Sequence, residues 1–416
     1  MSETLQQKRL ISLDVFRGMT IAGMVLVNNP GTWSSIYGPL KHAEWHGITP
    51  TDYVFPFFLF IVGVAIPIAL GKRITDGVTR DVYVKIIQRS AAIFATGLAI
   101  SALPLFDMGK TGIPALPKWV AALSLIAALF FLFLRNFKVA FGLIGIWAVI
   151  LAVFYFAGYT IVPYSFDTMR VPGVLQRIAV CYLIVSLIFL HTNWKQQTAI
   201  GIALLLIYWL LMTVVPVPGC EVTTIDDKAC NLAAYLDRLI LTENHIWRSA
   251  KVFDPEGILS IIPALVTTIS GVLTGTWLIR KDERGTLNDE LSHSSFIVHS
   301  SSLNKAAGMF FFGTVLLAAG WSWSLVFPLN KSLWTSSYVL YTSGLALLTL
   351  ASCYWLIDIK RYTAWTKPFV IFGVNALALF VFSGIMARML GWIKMSGGDG
   401  KEITLQPWIF ETFFLS

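Results

Sequence analysis

The chain has 416 residues, of which 56% are hydrophobic and only 13% are charged. Soluble domains carry roughly 25% charged residues, and a chain this apolar would expose large hydrophobic patches in water. The composition therefore excludes a soluble globular protein and a disordered chain. The net charge of +8 is spread over short tracts between apolar blocks and forms no basic face, so we expect no nucleic-acid partner.

Apolar blocks of about 18–23 residues recur along the chain, and each is long enough to cross a hydrocarbon core of roughly 30 Å as a helix. They predict an all-α fold, a polytopic membrane helix bundle with about eleven transmembrane helices. Only the minimal turn Arg135–Lys138 separates the fourth and fifth blocks, so these two are either separate spans or tilted and re-entrant segments. The predicted spans cover residues 11–29, 52–71, 83–103, 118–134, 139–157, 173–190, 198–215, 258–279, 305–327, 333–356 and 369–391.

Clusters of Lys and Arg between the spans indicate the orientation of the chain. Charged tracts at 71–73, 280–284 and 358–361 interrupt long apolar runs and fall on the same side as the N-terminus. Because cytoplasmic loops are enriched in Lys and Arg, we expect the N-terminus in the cytoplasm and, with eleven spans, the C-terminus outside. No small-residue cleavage site follows the first apolar block, so we expect that block to be retained as a span.

The sequence predicts a single transmembrane domain over residues 1–416, because it shows no low-complexity linker and no obvious internal repeat. Two longer polar segments, 30–51 and 216–257, are expected at the outer face. The sequence therefore predicts one bundle with two outer-face segments.

The second outer segment contains both a predicted helix and a cysteine pair. A short helix is expected around Asn231–Leu241, and Cys220 and Cys230 lie ten residues apart just before it. On an oxidising face these cysteines would form a disulfide that pins the loop. The alternative is two free thiols.

Ionisable groups in membrane helices are energetically costly and are therefore candidates for function. Asp14 and Arg17 lie three residues apart in the first span, so they share a helix face and can pair. They form either an ion pair that anchors the span near the cytoplasmic surface or a contact to phosphate or substrate. At the outer end of the same span, the amide of Asn28 either caps the helix or bonds a neighbouring helix.

Two histidines lie four residues apart in the segment Lys41–Asp52, which also contains the carboxylate of Glu44. His42 and His46 could bind zinc, but no Glu follows the first His directly and no convincing third ligand lies nearby. They could instead be interfacial histidines without a chemical role. The third alternative is a general base or nucleophile that a neighbouring carboxylate orients, since His titrates near neutral pH.

Polar residues recur near the ends of later spans, in the segments 170–177, 254–259 and 330–334. With a cytoplasmic N-terminus, all three segments fall on the outer side with His42. We therefore expect them to converge on one polar pocket at the mouth of the bundle. The candidate substrate-binding residues are Asp52, Arg177, Asp254, Glu256, Asn330, Lys331, Trp334 and Asn375.

Several of these blocks, in the same order, resemble the heparan-α-glucosaminide N-acetyltransferase family within the wider transmembrane acyltransferase group. The resemblance runs along most of the chain, which makes it far more specific than any single motif. The matching motifs are Leu13–Gly18, Val27-Asn28, Lys41–Trp45, Asp52 with Phe55-Pro56, Arg170–Arg177, Asp254–Gly257, and Asn330-Lys331 with Leu333-Trp334.

The resemblance implies an acetyl-CoA-dependent amino-sugar N-acetyltransferase. Such an enzyme moves acetyl from cytosolic acetyl-CoA to the amine of a glucosamine-type sugar on the outer face of the membrane. The resemblance also implies catalytic roles for His42 and Asn28. It implies no role for His46, because the lysosomal enzyme of this family has Asn at that position. The long luminal N-terminal extension of that enzyme has no counterpart in this sequence, so we expect a bacterial member in the inner membrane.

The residue types suit this chemistry, because attack of an amine on a thioester needs a donor for the carbonyl oxygen and a base for the amine. Asn28 is the predicted donor and His42 the predicted base, either by direct transfer or through an acetyl-His42 intermediate. Phosphates of CoA favour cations. The cytoplasmic residues expected to bind them are Arg17 with its partner Asp14, Lys72, Arg73, Arg89 and Arg280.

The expected partners are acetyl-CoA, an amino-sugar acceptor and the lipid bilayer, with a second copy of the chain as a candidate homodimer partner and no metal cofactor. The competing function is an amino-sugar or glycan transporter or flippase without acyl transfer. Many apolar spans with polar ends suit substrate passage equally well. Inverted repeats would favour a transporter, and none is visible in the sequence.

Overall fold

The computed structural model describes residues 10–32, 35–74, 77–279, 294–396 and 402–414, without the side chains of Lys72 and residues 294–300. A π-helical turn, Tyr354–Ile359, extends the eleventh helix. A hairpin of β1 (Lys394–Ser396) and β2 (Glu402–Thr404) precedes the last helix. The helices are α1 (Ile11–Asn28), α2 (Val54–Leu70), α3 (Arg80–Ala102), α4 (Ala115–Phe133), α5 (Phe137–Phe156), α6 (Val174–His191), α7 (Trp194–Val214), α8 (Leu232–Leu241), α9 (Ile261–Ile279), α10 (Ser294–Trp323), α11 (Ser336–Cys353), α12 (Lys367–Val374), α13 (Ala376–Trp392) and α14 (Leu405–Phe414).

The length and hydropathy of the helices confirm the predicted all-α, polytopic membrane bundle. Within the described ranges, nine helices are long and apolar enough to cross a membrane, and the bent pair α12–α13 would make ten. The predicted third span, 83–103, corresponds to α3, which is not among the nine. Its first half carries Arg80, Asp81, Lys85 and Arg89, which lower its hydropathy.

The predicted fourth and fifth spans form two separate helices, α4 and α5, which pack along each other. The predicted last span, 369–391, covers α12 and α13, which meet at an angle of 82°. The break falls at Asn375, between the two helices. An apolar run of this length therefore contains a sharp bend that its hydropathy does not indicate.

The chain divides into two compact units, each of which is described by itself. The first comprises Met1–Pro30, Ile36–Phe94 and Pro172–Phe380. The second comprises Gly31–Ser35, Ala95–Val171 and Val381–Ser416. This division into compact units does not test the predicted single domain over residues 1–416, which stays a prediction.

Close backbone contact between α2 and α9 forms the centre of the first unit. A Cβ atom on Gly63 would lie 2.0 Å from the backbone oxygen of Thr268, and one on Gly271 would lie 2.0 Å from that of Phe60. Only glycine permits this approach, as is common where helices pack within membranes. The crossing fixes the position of α2. The first residues of α2 directly follow the polar segment that contains Asp52.

Four helices of the first unit begin at the same end. Arg177, at the start of α6, bonds the backbone of Gly257, just before α9. Its guanidinium also lies over the ring of Trp334, just before α11. In the first turn of α11, the hydroxyl of Tyr338 donates to the backbone oxygen of Asp52, just before α2, at 2.6 Å. The segments that precede α2, α6, α9 and α11 are therefore brought together.

The second unit is built around the packed helices α4 and α5. Its buried residues Phe106, Ala121 and Ala122 pack against the partly buried Trp147 and Trp392. The ring nitrogen of Trp147 donates to the backbone oxygen of Pro104 at 3.2 Å. None of the predicted substrate-binding residues belongs to this unit.

Candidate functional site

A buried carboxylate shapes the segment between α1 and α2. Asp52 is 1% exposed, and its Oδ2 accepts hydrogen bonds from the backbone of Ala43 at 3.2 Å and of Thr49 at 3.0 Å. The Thr49 hydroxyl donates to the same oxygen at 3.0 Å. These bonds fold residues 41–52 back onto the start of α2 and leave Oδ1 available for a further partner.

That further partner is His42. Its Nδ1 lies 2.6 Å from Asp52 Oδ1, and because a carboxylate accepts, we assign the proton to Nδ1. The Nε2 lone pair is then free to take a proton from a ligand, as in a general base that a carboxylate orients. The His42 side chain is 39% exposed, so a ligand can reach it.

A lysine from the segment between α10 and α11 contacts the same pair. Lys331 Nζ lies 3.1 Å from His42 Nδ1 and 3.3 Å from Nε2, and 3.7 Å from Asp52 Oδ1. Burial lowers the pKa of Lys331 below its ordinary value, although the negative charges of Asp52 and Glu256 oppose that shift. We call His42, Asp52 and Lys331 the polar cluster.

The turn that carries Lys331 is fixed by its own hydrogen bonds. The side chain of the fully buried Asn330 accepts from the backbone of Leu333 at 2.9 Å, and the Asn330 backbone donates to the Thr335 hydroxyl at 3.1 Å. These bonds hold Trp334 at φ +54°, a left-handed conformation that is unfavourable for a bulky residue. The turn therefore presents Lys331 in one defined position.

Arg177 and Trp334 support the segments around the polar cluster from a buried position. They are 2% and 1% exposed, and the guanidinium carbon lies 4.9 Å from the Trp334 ring centroid. Arg177 Nη2 donates to the backbone oxygen of Gly257 at 3.3 Å and to the Ser260 hydroxyl. In the described part of the chain its Nε and Nη1 have no hydrogen-bond partner. At this depth, Arg177 and Trp334 stabilise the segments around the cluster.

Acidic residues hold the segment before α9. Asp237 Oδ1 accepts from the backbone of Ile258 at 2.9 Å, and its Oδ2 accepts from that of Asp254 at 3.2 Å. Asp254 Oδ1 accepts from the backbone of Glu256 at 2.9 Å. Burial raises the pKa of Asp237 to about 6, and the nearby Asp254 adds to the rise. Through these bonds α8 positions Glu256, whose charge acts on Lys331.

The segment after α7 packs against the histidine segment. The ring nitrogen of Trp45 donates to the backbone oxygen of Ile225 at 2.9 Å. His46 Nε2 lies 2.8 Å from Asp226 Oδ1, and its Nδ1 lies 3.3 Å from Asn330 Nδ2. His46 therefore links three segments of the chain, a contact that nothing in its local sequence indicates.

The predicted disulfide and the predicted short helix are both confirmed in this segment. Cys220 and Cys230 are bonded. Helix α8 follows immediately, and the Asn231 side chain caps it by accepting from the backbone of Ala234 at 2.9 Å. The two elements fix the loop that carries Ile225 and Asp226.

The two histidines face different carboxylates, Asp52 and Asp226. Among the residues that the structure describes, no group of three or more His, Cys, Asp or Glu side chains could hold a metal ion. The spacing of His42 and His46 thus corresponds to two separate hydrogen-bonded pairs.

A family model described as a domain of unknown function (DUF5009) matches residues 9–236. The match covers more than half of the chain. The chain belongs to this family.

The DUF5009 chain is also similar to two curated relatives, both named heparan-alpha-glucosaminide N-acetyltransferase. The mouse (Mus musculus) protein is 26% identical over an alignment 419 positions long. The human (Homo sapiens) protein is 27% identical over an alignment 417 positions long. Each alignment covers 90% of this chain, and the chain spans about half the length of these relatives, 53% and 52%. The resemblance that the sequence motifs indicate is confirmed by these matches.

In this DUF5009 member, the fold brings most of the predicted site residues to one end of the first unit. His42, Asp52 and Lys331 are in direct contact, and Asn330 holds the turn beside them. The residues that surround or support these four are Arg177, Asp254, Glu256 and Trp334. Asp237 also belongs here and was missed. Its only sequence signal is an acidic residue on the inward face of the short predicted helix.

Two of the predicted catalytic and substrate-binding residues, Asn28 and Asn375, are not among the residues that form, surround or support the polar cluster. Asn28 ends α1 with an exposed side chain, and its amide makes no hydrogen bond within the described ranges. The amide of Asn375 donates to the backbone oxygen of Ile371 at 2.9 Å, at the break between α12 and α13. The other predicted substrate contacts lie before or at the starts of α2, α6, α9 and α11. Asn375 lies between α12 and α13, so the structure does not place it with them.

The predicted pairing of Asp14 and Arg17 is confirmed. Arg17 Nη1 lies 3.3 Å from Asp14 Oδ1 and 3.3 Å from the backbone oxygen of Gly373. The ion pair thus lies where α1 packs against α12. Arg89 stacks over the ring of Tyr182. Of the other predicted phosphate-binding cations, Arg280 and the side chain of Lys72 lie outside the described residues.

Proposed function

We propose that this chain is a membrane N-acetyltransferase that moves acetyl from acetyl-CoA to the amine of a glucosamine-type sugar. The observation that carries the proposal is the His42–Asp52 pair with Lys331 beside it, at an exposed point of an otherwise buried polar region. The names of the two relatives support the same reaction. That the acceptor is a glucosamine-type sugar is part of this proposal.

His42 supplies the base that the reaction needs. An amine that attacks a thioester carbonyl must lose a proton, and Nε2 is the ring nitrogen with a free lone pair. Asp52, at 2.6 Å from Nδ1, would stabilise the imidazolium that results. Direct transfer is favoured over an acetyl-His42 intermediate, because one well-held pocket can bind both substrates. Asn28 keeps its predicted role as a donor to the carbonyl oxygen.

Acetyl-CoA is proposed to enter from the opposite, cytoplasmic end of the bundle. Helix α2 has 17 residues, which corresponds to about 26 Å, and it separates the polar cluster from Arg73. Arg17 and Arg73, with Arg89, are the described cations proposed to bind the phosphates of CoA. The pantetheine arm must then extend into the bundle for the thioester to meet His42.

The proposed location is a bacterial inner membrane, with the N-terminus in the cytoplasm and the polar cluster at the outer face. The Lys and Arg distribution supports this orientation. The physiological acceptor would then be an amino sugar outside the cytoplasm.

The test is acetyl transfer by the purified protein in detergent. Acetyl-CoA and glucosamine are supplied, free CoA thiol is followed with a thiol reagent, and the product is identified by mass spectrometry as the N-acetylated sugar. We expect thiol release that depends on the acceptor. If neither thiol release nor acetylated sugar is found in protein that is monodisperse on size exclusion, the proposal is overturned and a transporter becomes the better explanation.

A further inference from the structure

The proposed reaction leaves Lys331 without an explanation. Transfer of the acetyl group builds negative charge on its carbonyl oxygen, and the largest gain in rate comes from donors that already face that charge. Asn28, the predicted donor, is exposed at the end of α1. Lys331 is the cation in direct contact with His42.

We propose that Lys331 is a catalytic residue whose ammonium donates a hydrogen bond to the carbonyl oxygen of the acetyl group during transfer. This inference rests on the proposed function. It assigns to Lys331 a contact with the reacting atoms of the thioester, where the sequence predicts only a contact with the substrate.

The geometry of the polar cluster supports this assignment. Lys331 Nζ lies 3.3 Å from His42 Nε2. When an amine that is hydrogen-bonded to Nε2 attacks the acetyl carbonyl, the carbonyl oxygen therefore lies within reach of the ammonium. An ammonium has three N–H bonds, so Lys331 can direct one of them to the carbonyl oxygen and leave the Nε2 lone pair to the amine proton. The Lys331 side chain is 22% exposed, so the substrate can approach without a change of fold.

Charges of both signs surround Lys331. Asp52 and Glu256 attract its positive charge, while Arg177 and burial oppose it, and His42 is the other titratable group in contact. The net effect is a pKa below that of an ordinary lysine, which makes the ammonium a stronger hydrogen-bond donor. The braced turn 330–335 holds it in place without a large reorganisation.

The reaction balances without any further reactant. The bond between the amine nitrogen and the acetyl carbon forms, and the bond between that carbon and the CoA sulfur breaks. The amine proton passes to His42 Nε2 and then to the departing thiolate. Lys331 keeps its proton throughout, and the products are the N-acetylated sugar and CoA thiol.

The test compares Lys331→Met, which removes the donor, with Lys331→Arg, which keeps a cation. Acetyl transfer to glucosamine is measured by CoA thiol release over a range of acetyl-CoA concentrations. We expect Lys331→Met to lower kcat about 10²–10³-fold, the usual loss for one such donor, with little change in KM for acetyl-CoA. Lys331→Arg should recover part of this loss. Lys41→Met is the matched control, because Lys41 is exposed and, within the described ranges, forms an ion pair with the exposed Glu44 at 3.7 Å.

A pH profile separates this role from a structural one. The charge of Lys331 is lost as pH rises through its lowered pKa, so kcat of the natural protein should fall at a more acidic pH than an ordinary lysine allows. In Lys331→Arg that alkaline fall should move upward. This measurement does not require Lys331→Met to fold.

Either of two results overturns the inference alone while transfer by the natural protein stands. One is a kcat of folded Lys331→Met close to that of the natural protein, and the other is an unchanged alkaline fall in Lys331→Arg. Absence of acceptor-dependent thiol release in the natural protein overturns the proposed function, and the inference with it.

Discussion

His42 contacts a buried anion on one side and a partly exposed cation on the other. Asp52 lies 2.6 Å from Nδ1 and fixes the orientation of the ring, whereas Lys331 lies 3.1–3.3 Å from the two ring nitrogens. The carboxylate therefore orients the ring, and the ammonium lies beside Nε2. A base in acetyl transfer needs this kind of fixed orientation.

The raised pKa of Asp237 predicts a dependence of stability on pH. Asp237 is 1% exposed, and its pKa of about 6 lies above the ordinary 3.8. The folded state therefore holds the proton more tightly than the unfolded state does. The stabilisation is complete below about pH 4 and is lost as pH rises towards 6, by roughly 3 kcal/mol.

We expect Asp237→Asn to remove this dependence. The measurement is the thermal midpoint of the detergent-solubilised protein between pH 4 and pH 7.5, as a difference between natural protein and variant. Glu243→Gln is the control, because Glu243 is exposed on the same segment between α7 and α9. An identical pH slope in the natural protein and in Asp237→Asn would refute the prediction.

Sequence patterns identified His42, Asp52 and Lys331 one by one, because each lies in a recognisable polar block beside an apolar span. They could not show which blocks touch. His46 and Asp226 are 180 residues apart, and their contact depends on how the loop after α7 packs. Asp237 had no local signal beyond its place on a short helix, because its role depends on the distant backbone of Asp254 and Ile258.

At the scale of elements, the disulfide loop holds the segment 216–257 against the histidines. The Cys220–Cys230 bond closes the loop that presents Ile225 to Trp45 and Asp226 to His46. We expect intact mass to rise by two hydrogen atoms on reduction. Alkylation after reduction under native conditions should label only this pair, because Cys181 and Cys353 are buried. Two free thiols in protein taken from an oxidising compartment would contradict the prediction.

Hydropathy predicted the long helices well and the irregular ones poorly. Most apolar blocks became single helices because a backbone in lipid must satisfy its own hydrogen bonds. Hydropathy did not predict the bend at Asn375, because the whole run 369–391 is apolar and its composition does not change at the break. Helix α3 was counted as a span for its length, although its charged first half sets it apart.

For the whole molecule, the contacts at the starts of α2, α6, α9 and α11 agree with a chain that alternates sides. The outer segments predicted from alternation do meet at one end of the first unit. Which side of the membrane this end faces is a separate question. It is set by the Lys and Arg of the opposite loops.

Reporter fusions test that orientation. We expect fusions after Gly71 and after Arg284, which lies outside the described residues, to report the cytoplasm. Fusions after His46 and after Lys251 should report the outer side. The His46 fusion decides the matter, because a cytoplasmic signal there would rule out transfer to an acceptor beyond the membrane.

Single-turnover acetyl transfer in two histidine variants tests the central claim most directly. The rate of N-acetylglucosamine formation is measured in His42→Ala and His46→Ala, each normalised to protein that is monodisperse on size exclusion. We predict that His42→Ala loses about 10²–10⁴-fold or more, as expected for loss of a general base. His46→Ala should lose much less, because it removes contacts to Asp226 and Asn330 but no reacting group. Equal losses in the two variants, or near-normal transfer in His42→Ala, would contradict the assignment of His42 as the base.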